Sequence, residues 1–138
     1  MPVKYRIDKI LGVIYTRCTG LVKLEEVIGH FRELEQDPNC PDRLDVLLDL
    51  TGQMTIPAKE NLQEVAAAIW RVRHRVQFGA CAIVARTDAL FGMLRMFEVY
   101  AERYFDETCV FRTKVEAEAW LTSRRKTTSS ATGHSGQS

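Results

Sequence analysis

The sequence predicts a single α/β domain built on one mixed β-sheet, an N-terminal antiparallel hairpin followed by parallel strands, with about four helices packed on it. Three patterns predict it. Val3, Tyr5 and Ile7 alternate with Lys4, Arg6 and Asp8, the period of a strand with one wet face. Leu44 to Leu50 and Phe78 to Arg86 are nearly unbroken apolar runs, as strands covered by helices on both faces must be. Between and after them apolar residues recur at spacings of three and four, the period of amphipathic helices.

The elements follow in order. The first strand is an edge strand, a tight turn falls near Asp8-Lys9, and the β-branched and aromatic stretch Ile10 to Thr19 returns as the second arm, ending at Gly20. Leu24, Val27, Ile28, Phe31 and Leu34 make Lys23 to Gln36 an amphipathic helix that Pro38 stops. Leu44 to Leu50 is then a buried parallel strand that opens into a turn at Asp49-Leu50-Thr51-Gly52. Pro57 fits the first turn of a second helix carried by Leu62, Val65, Ile69, Val72 and Val76. After the strand Phe78 to Arg86, Thr87 or Asp88 caps a helix that runs to about Tyr104. A short strand, Thr108 to Phe111, precedes a last helix whose Thr113 and Glu116 have capping-box spacing. Residues 1–122 thus form the domain, in the order β-β-α-β-α-β-α-β-α, and 123–138 are predicted to be a disordered tail rich in Ser, Thr and Gly, without apolar periodicity to offset its ordering entropy.

With 138 residues, 46% of them apolar and 27% charged, the chain suits one globular domain that needs no disulfide or metal staple. Three of the 19 Lys and Arg (Arg124, Arg125, Lys126) and none of the 18 acidic residues follow Thr122, so the domain itself is mildly acidic at −2. That argues against a nucleic-acid binder, which needs a basic face. Cys18, Cys40, Cys81 and Cys109 stand far apart, with no Cys-x-x-Cys pair and no histidine at ligand spacing, so no metal or other cofactor is expected. Free cysteines in apolar strands suit a reducing compartment. There is no signal-peptide core and no apolar run of membrane-spanning length. A cytoplasmic protein is expected.

Asp49-Leu50-Thr51-Gly52 after a buried strand, the apolar strand Ala80 to Ala85, and Val110-Phe111 before Glu116-Ala117-Glu118-Ala119-Trp120-Leu121 together resemble the STAS domain of anti-sigma-factor antagonists. More closely, they are similar to the stand-alone bacterial proteins described as SpoIIAA-like, a group related in fold to lipid-carrying CRAL-TRIO domains. The segment Asp88 to Glu98, with its Gly-x-x-Arg-Met-aromatic stretch, adds to the likeness, which spans roughly Val3 to Leu121. The resemblance implies a mixed-sheet fold and a regulatory or binding role. Phosphoregulated STAS domains carry Asp-Ser-Ser or a close variant where this chain has Pro57-Ala58-Lys59. No hydroxyl stands there to take a phosphate, so that switch is not implied. Thr51 and Thr55 are the nearest substitutes, and turn or capping roles are the favoured reading of both.

No Gly-rich phosphate loop, nucleophile elbow, paired-acid motif or metal cluster is present, and no catalytic residue is assigned. Asp49, at the expected carboxyl end of a strand, marks a candidate ligand or regulatory loop with Thr51 and Thr55. His30 is expected at a boundary or in solvent. Of the cations Arg71, Arg73 and Arg75, only Arg71 and Arg75 can share a helix face. The helix from Asp88 is the informative one. Leu90, Met93, Phe97, Tyr100, Ala101 and Tyr104 share a core face, while Phe91 and Val99, with Gly92 and Met96, project among Arg95, Glu98 and Glu102. Phe91, Gly92, Arg95, Met96, Glu98 and Val99 are therefore predicted to form an interaction surface. The leading expectation is a non-enzymatic module acting through a protein partner or as a homodimer. The alternative is a module for a lipid or other apolar small molecule, with a pocket between residues 51–57 and the helix starting at Asp88, lined by Met93, Met96 and Phe97.

Overall fold

The computed structural model describes residues 2–133, with side chains only as far as Arg124. It contains one five-stranded sheet in the order β1-β2-β3-β4-β5, made of β1 (Val3–Asp8), β2 (Val13–Gly20), β3 (Arg43–Gln53), β4 (Gln77–Val84) and β5 (Glu107–Phe111). β1 and β2 pair antiparallel, with Tyr5 opposite Thr16, and every other pairing is parallel. The helices are α1 (Leu24–Gln36), α2 (Lys59–Arg71), α3 (Asp88–Ala101) and α4 (Lys114–Gly133). The mixed α/β architecture is the one the sequence predicts.

The hairpin turn is longer than its sequence suggests. Ile10 and Leu11 are exposed and belong to the turn, not to β2. Asp8 decides this: its carbonyl accepts from Gly12 N–H and its carboxylate from Leu11 N–H, while Gly12 takes a φ of 68° that favours glycine. β3 in turn runs further than expected. Gly52 and Gln53 pair with Thr19 and Gly20 beyond a register shift that leaves one extra residue in β3, so Thr51 and Gly52 are strand and not turn.

α1, α2 and α3 each connect neighbouring parallel strands that advance in one direction across the sheet. Crossovers of a single hand then place all three helices on one face. The larger core lies there, joining Ile14, Leu34, Leu44, Leu50, Leu62, Ile69, Ile83, Leu94 and Phe97. α4 closes the other face, where Val13, Leu47, Ala82 and Val84 meet Ala117 and Leu121. β4, covered on both sides, is buried from Phe78 to Val84.

Caps set the helix starts. The Glu26 carboxylate accepts from Lys23 N–H, the Asn61 side chain from Ala58 N–H, and Thr87 Oγ1 accepts from Leu90 N–H. Pro57 stands just outside α2, two residues before its first helical residue, and not in its first turn. The expected capping box is present, with Thr113 Oγ1 accepting from Glu116 N–H and donating to the Glu116 carboxylate. α2 stops at Arg71, short of the predicted Val76, and α3 at Ala101. α4 continues past Thr122, the predicted domain boundary, through Gly133, and residues 134–138 lie outside the described residues.

Candidate ligand cavity

α1 has a clear apolar stripe, yet Leu34 is the one buried residue among its 13. Leu24, Val27 and Phe31 of that stripe, with Leu34, face a cavity of about 350 Å³ between the helices and the sheet. Val3 of β1, Ile14, Thr16 and Cys18 of β2, and Val46, Leu48 and Leu50 of β3 form its floor. Leu24, Val27, His30 and Phe31 of α1 and Leu62, Val65 and Ile69 of α2 form its walls, while α3 contributes Leu94 and Phe97. Gln53, Thr55, Ile56 and Pro57 lie at one end. Lys23 and Ile56 are the exposed lining residues, and they mark where the cavity reaches solvent, beside the carboxyl ends of β2 and β3 and the starts of α1 and α2. Open α/β sheets bind ligands at that end of the strands.

The volume falls at the lower end of the range of small-molecule sites. An apolar cavity of about 150 Å³ accepts benzene, so this one has room for a molecule about twice that size.

The polar groups of the lining divide in two. At the mouth they bond one another: Thr55 Oγ1 accepts from Val22 N–H and donates to the Val22 carbonyl, and the Gln53 side-chain amide donates to the Thr55 carbonyl. Deeper in, the His30 ring packs edge-on to Tyr5 at 5.1 Å and beside Phe31 at 5.3 Å. Its Nδ1 is buried without a partner, and burial pushes the imidazole pKa down to about 4. The ring is therefore neutral at physiological pH. Cys18 is a thiol there too, because burial, aided by the Asp49 charge, pushes its pKa up to about 12. A thiol so protonated is no nucleophile.

The predicted regulatory loop is split between the two faces of the sheet. Asp49 lies within β3, largely buried on the α4 face, where its Oδ1 accepts from both the backbone N–H and the hydroxyl of Thr51. The Arg17 guanidinium stands 4.0 Å from its other oxygen. Neither Asp49 nor Thr51 borders the cavity, because strand alternation aims them away from it. Thr55 does border it. Met93 and Met96, expected as lining, do not, since α3 follows β4 and reaches the cavity only through Leu94 and Phe97.

The predicted association surface on α3 is also rearranged. Phe91 does not project outward: it packs against the larger core and lies under the Arg112 guanidinium, 4.1 Å from its ring centre. Arg95 and Glu98 pair at 2.8 Å. What remains outward is Val99, 67% exposed, Met96, 41% exposed, and Gly92, around which a side chain would meet nothing. The three arginines near the end of α2 form no common patch. Arg73 stacks on Trp70, and Arg75 donates to the carbonyls of Asp37 and Cys40.

Thr16 is the site residue that sequence reasoning passed over, and His30, expected at a boundary or in solvent, instead lines the cavity with its Nδ1 buried. A signal for His30 existed, since at 100° per residue it falls inside the arc of Val27, Phe31 and Leu34. Among the described residues no group of three or more His, Cys, Asp or Glu side chains could hold a metal ion, and no helix is long and apolar enough to cross a membrane. Compared with known proteins, the chain matches no family model and no curated protein.

Proposed function

We propose that this protein is a non-enzymatic cytoplasmic module that binds a small, largely apolar molecule between its sheet and the helices α1 and α2. The cavity of about 350 Å³ carries this reading. It is lined almost wholly by apolar side chains, Lys23 at the mouth is the one charged lining group among the described residues, and its size and position suit a ligand. Its thiol is protonated and its imidazole neutral, and no activated nucleophile or paired acid faces the space. Binding is the activity such a lining supports. The mixed sheet, with its antiparallel start and sequential parallel strands, also suits the proposed kinship with SpoIIAA-like proteins.

Native mass spectrometry of the freshly purified full chain tests the reading. A co-purifying mass of constant value is expected, together with a rise in melting temperature on adding naphthalene. A bare polypeptide mass and an unmoved melting temperature would refute it.

A second reading, self-association through α3, is favoured by one observation: Met96 and Val99 remain exposed beside Gly92. Size-exclusion chromatography with light scattering decides it. A dimer that Val99→Asp converts to monomer supports it, and a monomer at all concentrations removes it.

A further inference from the structure

The unpartnered polar groups of the cavity are gathered at one side. Tyr5 and Thr16 are direct cross-strand partners, so their side chains share one face of the sheet about 5 Å apart at Cβ. The Tyr5 ring also touches the His30 ring from α1. Thr16 and His30 therefore both lie beside Tyr5, and both line the cavity. The Tyr5 hydroxyl is taken, since it donates to the Asp37 carboxylate at 2.6 Å. Among the described residues the Thr16 hydroxyl and the two His30 nitrogens have no hydrogen-bond partner. Nδ1 is closed off by protein, whereas Nε2 is not among the fully enclosed atoms.

Buried polar groups are seldom left unmatched, because each would forfeit its bonds to water. The mouth follows that rule, with Thr55, Gln53 and Asn61 all bonded within the chain. The interior pair is the exception, inside a space suited to a ligand. Building on the function proposed above, we infer that the ligand is an uncharged, mainly apolar alcohol or phenol whose hydroxyl sits between Thr16 and His30 on the β1–α1 side of the cavity. A hydroxyl both donates and accepts, so it complements the threonine hydroxyl and Nε2 in either imidazole tautomer. An anion is disfavoured there. Lys23, among the described residues the only charged side chain of the lining, is exposed at the mouth, and a carboxylate beside the neutral His30 would lose its hydration without a counterion.

Isothermal titration of the full chain at pH 7 with naphthalene, 2-naphthol and 2-naphthoate tests the inference. The expected order has 2-naphthol about threefold to tenfold tighter than naphthalene, one net hydrogen bond's worth, with 2-naphthoate the weakest. Thr16→Val, close in shape, and His30→Leu should each bring the ratio of 2-naphthol to naphthalene affinity, measured on the same variant, towards one. Two variants on separate elements guard against misfolding of either one. Equal binding of naphthalene and 2-naphthol, or a preference for 2-naphthoate, would overturn the hydroxyl site and leave the apolar cavity standing. Binding of none of the three would overturn both.

Discussion

Thr55 Oγ1 and the backbone of Val22 are joined twice, the hydroxyl accepting from the Val22 N–H and donating to the Val22 carbonyl, each at 3.2 Å. The two residues are 33 positions apart. One side chain thus ties the segment entering α1 to the segment entering α2, at the place where the cavity reaches solvent.

Replacing that hydroxyl should loosen the mouth. Thr55→Val leaves two partly buried backbone groups without partners, at a cost of about 1–3 kcal/mol, and Thr55→Ser should retain most of the clamp. Denaturant unfolding gives the stability, and hydrogen exchange at the Val22 amide locates the effect. Exchange at Val22 as slow in Thr55→Val as in the parent would contradict the assignment.

Filling the cavity should move stability and binding in opposite directions. Val65→Phe places a larger apolar side chain on the α2 wall, and such substitutions add about 0.5–2 kcal/mol. The melting temperature should rise while naphthalene binding falls to background. A loss of stability as large as that of an overpacked core would show that the walls are already in contact.

Stability should fall on mild acidification, and His30 should account for it. Burial holds the folded imidazole at about 4 against an ordinary 6.5. Above about pH 6.5 both folded and unfolded chains carry it neutral, so its full contribution is present. Between pH 6.5 and 4 the unfolded chain takes up a proton that the folded chain refuses, and up to roughly 3 kcal/mol is lost. Unfolding curves across that window should flatten in His30→Leu. A variant with the parent's slope would place the sensitivity elsewhere.

At the opposite end of β3 and β4, a side chain seals an irregularity in the pairing. The register shifts between Leu44 and Val46, and Asp45 Oδ1 accepts from Ala80 N–H there. A Cβ on Gly79 would lie 2.3 Å from that oxygen and 2.8 Å from the Arg43 guanidinium, which is itself paired with Asp106. Gly79→Ala should therefore destabilise by about 1–3 kcal/mol in chemical denaturation. The double variant Gly79→Ala, Asp45→Ala removes the clash along with the bond, and should cost less than the sum of its parts.

Much of the fold was legible because its cues are local. Alternation in Val3 to Asp8 and the apolar runs around Leu47 and Ala82 specify strands, and the spacing of Val27, Phe31 and Leu34 specifies a helix facing the sheet. The capping pair Thr113 and Glu116 could be read directly, since both partners lie within one turn. Boundaries were less legible where a competing local bond intervened. Asp8 converted Ile10 and Leu11 from strand into turn, and pairing with Thr19 and Gly20 drew Gly52 and Gln53 from turn into strand.

The order of strands and helices and the mixed sheet were thus determined by the sequence alone, through periodicities that each segment carries within itself. Only the tertiary structure decided that α1 stands off the sheet far enough to leave a cavity, that Asp49 lies on the other face from Thr55, and that Tyr5, Thr16 and His30 meet. Those relations join residues from separate elements, and they depend on how side-chain volumes fill the space between layers. A periodic pattern records which way a side chain points, but not whether anything fills the space in front of it.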